Sequence, residues 1–154
     1  SKELSKENTQ RVFKENLDKT VKHLTKMGKK VIILGQVPRL DKTIGANKGP
    51  LKCIRKKATP LQKIIKIDDK KCVEADEKIS TDRIEYAHQV IREVSLKYKN
   101  AEFFDPKPYF CDERLCYAER DGKVVYRDGK VVYRDDDHLN IYGGHYLGRK
   151  LMLK

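Results

Sequence analysis

The chain has 154 residues, of which 38% are hydrophobic and 38% charged, a length that suggests one domain and allows a substantial core. Its apolar residues are patterned, which excludes wholesale disorder, and no apolar run approaches the roughly eighteen residues of a transmembrane helix. The net charge of +12 comes mainly from lysines spread along the chain. Two interpretations of this charge stay open: a solvated basic surface and attraction to a polyanion. The sequence has no arginine-rich stripe with interleaved aromatic residues, so it does not predict a specific nucleic-acid partner.

The first ten residues, SKELSKENTQ, contain no initiator methionine, no apolar segment and no cleavage site. They have the features of neither a signal peptide nor a natural start. We therefore expect the chain to be a piece of a longer protein.

The first two elements are an amphipathic helix and a strand. Residues 4–27 predict the helix because apolar residues recur at three- and four-residue steps, and Gly28 stands where a C-terminal cap belongs. The continuous apolar run Val31–Leu34 predicts a strand buried on both faces of a parallel sheet. Pro38 follows in a loop at the edge where open α/β sheets place their sites.

An irregular, lysine-rich region comes next, with a short helix predicted at Leu61–Ile67. An apolar stripe then predicts a helix over 81–99, with Ser80 or Thr81 as its N-cap. A second strand is expected at Ala101–Asp105. This order of helices and strands is typical of an α/β fold with parallel strands.

The C-terminal third contains the seven residues DGKVVYR twice in succession, at Asp121–Arg127 and Asp128–Arg134. Asp-Gly between β-branched and aromatic residues predicts a hairpin, with Asp128–Gly129 at the turn. A unit repeated only twice is neither a solenoid nor a coiled-coil heptad. We expect the extra copy to extend a β-ribbon without moving the segment that follows. A closing helix is predicted over Asn140–Leu153, with Asn140 as its cap.

Four cysteines are present: Cys53, Cys72, Cys111 and Cys116. Their spacing does not suit a zinc site, and an even number favours an oxidising compartment. The favoured pairing is Cys53–Cys72 with Cys111–Cys116, because the latter pair brackets a loop short enough to close. Four reduced thiols are the alternative.

The candidate catalytic residues are Asp135 and His138, which lie at a predicted strand-to-helix corner. A carboxylate three residues before a histidine can turn back to one ring nitrogen, and the other nitrogen can then serve as a general base. Two alternatives stay open. The three consecutive aspartates could bind a cation, or they could only add charge at a helix N-terminus.

The other histidines are interpreted as structural or superficial. His23 and His88 lie on predicted helices, and Glu85-x-x-His88 resembles a di-iron helix motif that would need a second copy, which the sequence lacks. His145 is expected on the surface of the closing helix.

Several motifs together resemble one family. The segment CDERLCYAERDGKVVYRD, the later DDHLNIYGGHYLGRKL and the upstream VIILGQVP are similar to the C-terminal part of the SGNH domain fused to acyltransferase-3 type membrane enzymes. Such enzymes O-acetylate lipopolysaccharide or other cell-envelope polysaccharides. The matching positions are Gly35–Pro38, Cys111, Cys116, Tyr133, Asp135–Leu139, Gly143 and Gly144.

The resemblance implies that His138 is the base and Asp135 its partner. It implies a partial three-layer α/β/α flavodoxin-like sheet with a C-terminal β-hairpin and closing helix, over 1–154 as a single domain. It also implies a periplasmic protein tethered through an upstream membrane acyltransferase domain, with a cell-envelope polysaccharide or lipopolysaccharide as acceptor. We expect no cofactor and no metal.

Three departures from the family pattern matter. Asn140 replaces a serine, the turn-and-strand unit occurs twice, and no G-D-S nucleophile motif is present. The sequence therefore supplies at most two of three triad members and is expected to be inactive alone. The alternatives are a non-enzymatic basic module that binds an anionic polymer, and a degenerate remnant of an enzyme.

Overall fold

The computed structural model describes residues 5–40, 74–118 and 132–153. They form four helices and four short strands, which confirms the predicted α/β class. In chain order these are α1 (Lys6–Lys26), β1 (Val31–Leu34), β2 (Glu74–Asp76), α2 (Glu77–Ser95), β3 (Ala101–Phe104), α3 (Lys107–Phe110), β4 (Leu115–Tyr117) and α4 (Ile141–Met152).

The chain divides into two compact units. Within the described residues, the first unit comprises 5–36 and 84–105, and the second comprises 37–40, 74–83, 106–118 and 132–153.

The first unit contains the predicted parallel pair of strands. β1 and β3 run side by side with Val31 opposite Ala101, and α1 ends before Gly28, whose φ of 76° is one that glycine adopts without strain. Val21 of α1 and Val94 of α2 lie in one buried cluster against this sheet. The amphipathic stripes thus pack as their periodicity indicates.

The prediction that β1 is buried on both faces is wrong. Side chains alternate between the faces of a strand, and Val31 and Ile33 pack against the helical cluster. Ile32 and Leu34, on the other face, are 43% and 52% exposed. A continuous apolar run shows what a strand can bury, but it does not show whether a second layer covers it.

The start of α2 also differs from the prediction. The helix begins at Glu77, and the carboxylate of Asp76 accepts the backbone N–H of Ile79 at 3.0 Å. Ser80 and Thr81 therefore lie inside the helix. The reason is β2, which pairs antiparallel with β4 and brings the chain to Asp76 in an extended conformation.

The second unit contains the predicted Cys111–Cys116 disulfide, which is confirmed. The carboxylate of Asp112 shapes the enclosed loop, since its Oδ1 accepts the backbone N–H groups of Arg114 and Leu115 at 2.9 and 2.8 Å. The hydroxyl of Tyr117 donates to the other oxygen at 2.6 Å. This loop leads directly into β4.

Three predictions fall outside the described residues: the helix at Leu61–Ile67, the Cys53–Cys72 pair and the hairpin turn at Asp128–Gly129. Of the repeat, the structure describes Val132, Tyr133 and Arg134.

We predict that Val94→Ala lowers the free energy of unfolding by about 2 kcal/mol, because it removes two methyl groups from a fully buried position. Leu96→Ala is the matched control, since Leu96 is 82% exposed and truncation there should cost less than about 0.5 kcal/mol. Urea denaturation measures both. Equal losses for the two variants would contradict the assigned core.

Candidate active site

The corner that carries Asp135 and His138 is built by backbone hydrogen bonds. The N–H of Arg134 donates to the carbonyl of His138 at 2.8 Å, and the N–H of Asn140 donates to the carbonyl of Val132 at 2.7 Å. These bonds fold the chain back on itself, so that the aspartates lie in the closed loop between them. The site therefore has a fixed backbone before any side-chain contact is made.

The predicted contact between Asp135 and His138 is present. Oδ1 of Asp135 lies 2.9 Å from Nδ1 of the imidazole, and the same oxygen accepts the backbone N–H of His138 at 2.8 Å. The N–H of Asp137 also donates to it, at 3.3 Å, and Nε of Arg134 donates to the second oxygen, at 3.2 Å. Asp135 is thus held in place by the loop it belongs to.

The electrostatics of Asp135 follow from these donors. Partial burial of the carboxyl opposes its ionisation, but hydrogen bonds from the Asp137 N–H, the His138 ring, the His138 N–H and Arg134 outweigh this effect. Together they lower the pKa of Asp135 well below its usual range. The side chain is therefore an anion at neutral pH.

An anionic carboxylate determines which nitrogen of His138 carries the proton. A carboxylate only accepts hydrogen bonds, so a neutral ring bonded to it is protonated at Nδ1. The side chain of His138 is 62% exposed. Nε2 is then the nitrogen able to take a proton from a nucleophile and return it to a leaving group.

Two further side chains complete this corner: Asp137, which the sequence offered only as part of a possible cation site, and Arg39, which the sequence did not single out. Oδ1 of Asp137 also lies 2.9 Å from Nδ1 of His138. The guanidinium of Arg39 lies 3.6 Å from Oδ2 of Asp137 and 3.9 Å from Oδ2 of Asp136. The only hint in the sequence is that Arg39 directly follows the G-Q-V-P segment.

The loop that follows β1 is attached to the corner by two hydrogen bonds. The buried hydroxyl of Tyr133 donates to the carbonyl of Pro38 at 3.0 Å, and the N–H of Leu40 donates to the carbonyl of Asp136 at 2.7 Å. Burial raises the pKa of Tyr133, so the phenol stays a neutral donor. The sequence placed a functional loop after β1, and Arg39 belongs to that loop.

Helix α4 begins at the corner and closes against it. The side chain of Asn140 accepts the backbone N–H groups of Tyr142 and Gly143 at 2.9 and 3.1 Å, which confirms it as the N-cap. A Cβ on Gly143 would lie 2.4 Å from the carbonyl oxygen of Val132, whereas one on Gly144 would meet nothing within 4 Å. The close approach of α4 to the Val132 carbonyl therefore requires a glycine at position 143 but not at position 144.

The corner also brings together possible metal ligands. Ligand atoms of Asp135, Asp137 and His138 lie within 4.8 Å of one another. Exposed acidic groups often do so without an ion, and Arg39 already places a positive charge against Asp137. We therefore assign no metal site here.

The remaining described histidines are His23, His88 and His145. His88 is buried in the first unit, with Nε2 at 3.0 Å from the carbonyl oxygen of Gln36 and Nδ1 at 3.5 Å from Asp105. Burial lowers the pKa of His88, although Asp105 and the Gln36 carbonyl act in the opposite sense. These contacts tie together the ends of β1 and β3, which supports the structural interpretation. His23 and His145 are exposed.

The described serines lie within helices or cap one. Ser5 caps α1 through the N–H of Asn8, and the hydroxyl of Ser95 donates to the carbonyl of Ile91. Ser80 is buried within α2. Among the described residues, no serine lies at a strand-to-turn position typical of a nucleophile.

Comparison with known families gave a match over almost the whole chain. A family model described as "SGNH domain (fused to AT3 domains)" matches residues 1–152. A search of curated proteins and a search of solved structures gave no match. Within the described part of the chain, no helix has both the length and the apolar character needed to span a bilayer.

We predict that Gly143→Ala destabilises the protein by about 1–3 kcal/mol, since the added methyl group overlaps the Val132 carbonyl. Gly144→Ala is the matched control. It should be neutral or stabilise by up to about 1 kcal/mol, because the site is open and alanine favours a helix. Thermal unfolding compares the two variants, and similar melting temperatures would contradict the close approach.

We also predict that Asp135 contributes to stability at neutral pH and loses this contribution in acid. Its folded-state pKa is lowered, so the contribution is complete above the unfolded value of about 4 and is lost as the pH falls toward the folded value. The difference in unfolding free energy between wild type and Asp135→Asn should shrink between pH 6 and pH 3, as measured by urea titrations. A difference that does not change with pH would refute the prediction.

Proposed function

Because this chain belongs to the family of SGNH domains fused to acyltransferase-3 domains, we propose that Asp135 and His138 supply the Asp–His half of a Ser–His–Asp triad for O-acyl transfer. The supporting observation is the 2.9 Å contact between Oδ1 of Asp135 and Nδ1 of His138. The backbone of the corner maintains this contact. Because the contact uses Nδ1, it leaves Nε2 of His138 for proton transfer.

In the proposed reaction, Nε2 of His138 removes the proton from a serine hydroxyl as its oxygen attacks the acyl carbonyl carbon. The resulting imidazolium is stabilised by the anionic Asp135. The proton then passes to the leaving oxygen, and the acyl group stays on the serine. An acceptor sugar hydroxyl reverses the sequence, giving its proton to Nε2 and receiving the acyl group.

The proposal assigns the nucleophilic serine and the oxyanion-hole donors to polypeptide beyond these 154 residues. The sequence has serines only at positions 1, 5, 80 and 95, and it contains no G-D-S motif. The chain supplies the base and its orienting acid. The other half of the site is needed before an acyl-enzyme can form.

We propose a cell-envelope polysaccharide or lipopolysaccharide as the acceptor and a membrane acyltransferase domain as the partner that delivers the acyl group. The fusion named in the family description supports the partner. The Cys111–Cys116 disulfide supports an extracytoplasmic location, because disulfides persist in oxidising compartments. The net charge of +12 favours an anionic acceptor.

A second candidate function is binding of an anionic polymer without catalysis, which the charge of +12 favours. Its signature would be an affinity for a sulfated polysaccharide that falls steeply with salt and does not change in His138→Ala.

The test compares the isolated chain with the polypeptide translated from the whole reading frame that contains it. We expect negligible hydrolysis of p-nitrophenyl acetate by the isolated chain. In the longer protein, His138→Ala should lower kcat at least about 10³-fold with little change in KM, since it removes the general base. His145→Ala, an exposed histidine on α4, is the matched control.

Two results would overturn the proposal. Robust turnover by the isolated chain that His138→Ala abolishes would show that the nucleophile lies within these residues. Full activity of His138→Ala in the longer protein would show that the histidine is not the base.

A further inference from the structure

Two carboxylates face one ring nitrogen at the corner. Oδ1 of Asp135 and Oδ1 of Asp137 each lie 2.9 Å from Nδ1 of His138. A neutral ring has a single proton at this nitrogen and can direct one strong hydrogen bond with it. The two aspartates therefore compete, and two uncompensated anions would bind the ring proton more tightly than one.

The two carboxylates have different surroundings. Asp135 accepts the backbone N–H groups of His138 and Asp137, which fix it beside the ring. Asp137 instead has its second oxygen 3.6 Å from Nη1 of Arg39. The side chains of Arg39 and Asp137 are each 23% exposed, so water and salt screen this pair less than a fully exposed pair.

The backbone of Arg39 is anchored. Its N–H donates to the carbonyl of Ser80 at 2.9 Å, and the next N–H, of Leu40, donates to the carbonyl of Asp136 at 2.7 Å. Pro38, immediately before it, accepts the hydroxyl of Tyr133. The side chain of Arg39 thus extends from an anchored backbone position. Its two terminal nitrogens face Asp136 and Asp137 separately.

We propose that Arg39 is a positioning residue that binds Asp137 and so leaves Asp135 as the operative partner of His138. The catalytic meaning of this inference rests on the proposed function, because it concerns the same histidine. A base in acyl transfer must also return its proton to the leaving group. Arg39 offsets the second anion, which would otherwise hold that proton on the ring.

The test is a double-mutant cycle read by NMR on the 154-residue chain. The ring protons of His138, assigned by their loss in His138→Ala, are followed against pH to give a titration midpoint. Asp137→Asn in the wild-type background should move this midpoint by less than about 0.3 pH unit. In the Arg39→Gln background the same substitution should lower it by about 1 pH unit, because Asp137 is then uncompensated.

This readout separates positioning from simple electrostatics. Among the residues that the structure describes, the charged groups around the ring are Asp135 and Asp137 in direct contact, with Arg39, Asp136 and Arg134 one ion pair further away. Arg39→Gln alone should raise the midpoint, but any nearby cation would have that effect. Only a pairing of Arg39 with Asp137 makes the effect of Asp137→Asn depend on residue 39.

Asp136→Asn is the matched control. Asp136 faces the same guanidinium at 3.9 Å, but of the three aspartates it is Asp135 and Asp137 that have an oxygen 2.9 Å from Nδ1. Its effect on the His138 midpoint should be the same with and without Arg39→Gln. Arg39→Lys keeps the charge but not the two-pronged geometry, so its coupling to Asp137 should be intermediate.

The inference is overturned if Asp137→Asn moves the midpoint equally in both backgrounds. If Arg39→Gln does not give a folded amide spectrum, the Arg39→Lys cycle decides the question by the same criterion. The measurement needs no nucleophile or substrate. A failed coupling, together with loss of activity in His138→Ala of the longer protein, would refute only the role of Arg39. An intact coupling, together with full activity of His138→Ala in the longer protein, would refute only the proposed function.

Discussion

The candidate site depends on the two backbone hydrogen bonds that close the loop from Val132 to Asn140. They fix where Asp135 and His138 lie before their side chains meet, so the contact between them does not have to order a mobile loop. The same segment holds the loop after β1 through Tyr133 and begins α4 through Asn140. Gly143 allows that helix to pass close to the Val132 carbonyl. A substitution that breaks these backbone hydrogen bonds would therefore affect every element attached to the loop.

Features that depend on residues close in sequence were predictable. The contact between Asp135 and His138, the cap at Asn140 and the Cys111–Cys116 disulfide each involve at most five positions of separation. Their residue types and spacing nearly determine the local geometry. The pairing of β1 with β3 was predictable for a different reason, since apolar strands separated by a helix pair in parallel.

Two other features, which also depend on pairing between distant segments, were not predictable. β2 consists of Glu74–Asp76, a sequence without strand character, and it is extended because it pairs with β4. This pairing moves the start of α2 upstream to Glu77. Arg39 reaches the corner in the same way, because the Tyr133–Pro38 hydrogen bond that brings the two segments together joins residues 95 positions apart. No local pattern reports such a contact.

The three successive aspartates would repel one another if they were left in a uniform environment. The folded corner gives each a different set of partners. Asp135 receives backbone N–H groups and Arg134, Asp136 faces Arg39 while its carbonyl binds the loop after β1, and Asp137 lies between Arg39 and the histidine. The single positive charge of Arg39 thus serves two carboxylates. A run of acidic residues before a histidine is then not one cluster of equal groups, because backbone N–H groups hold Asp135 against the ring whereas Asp136 and Asp137 face the guanidinium of Arg39.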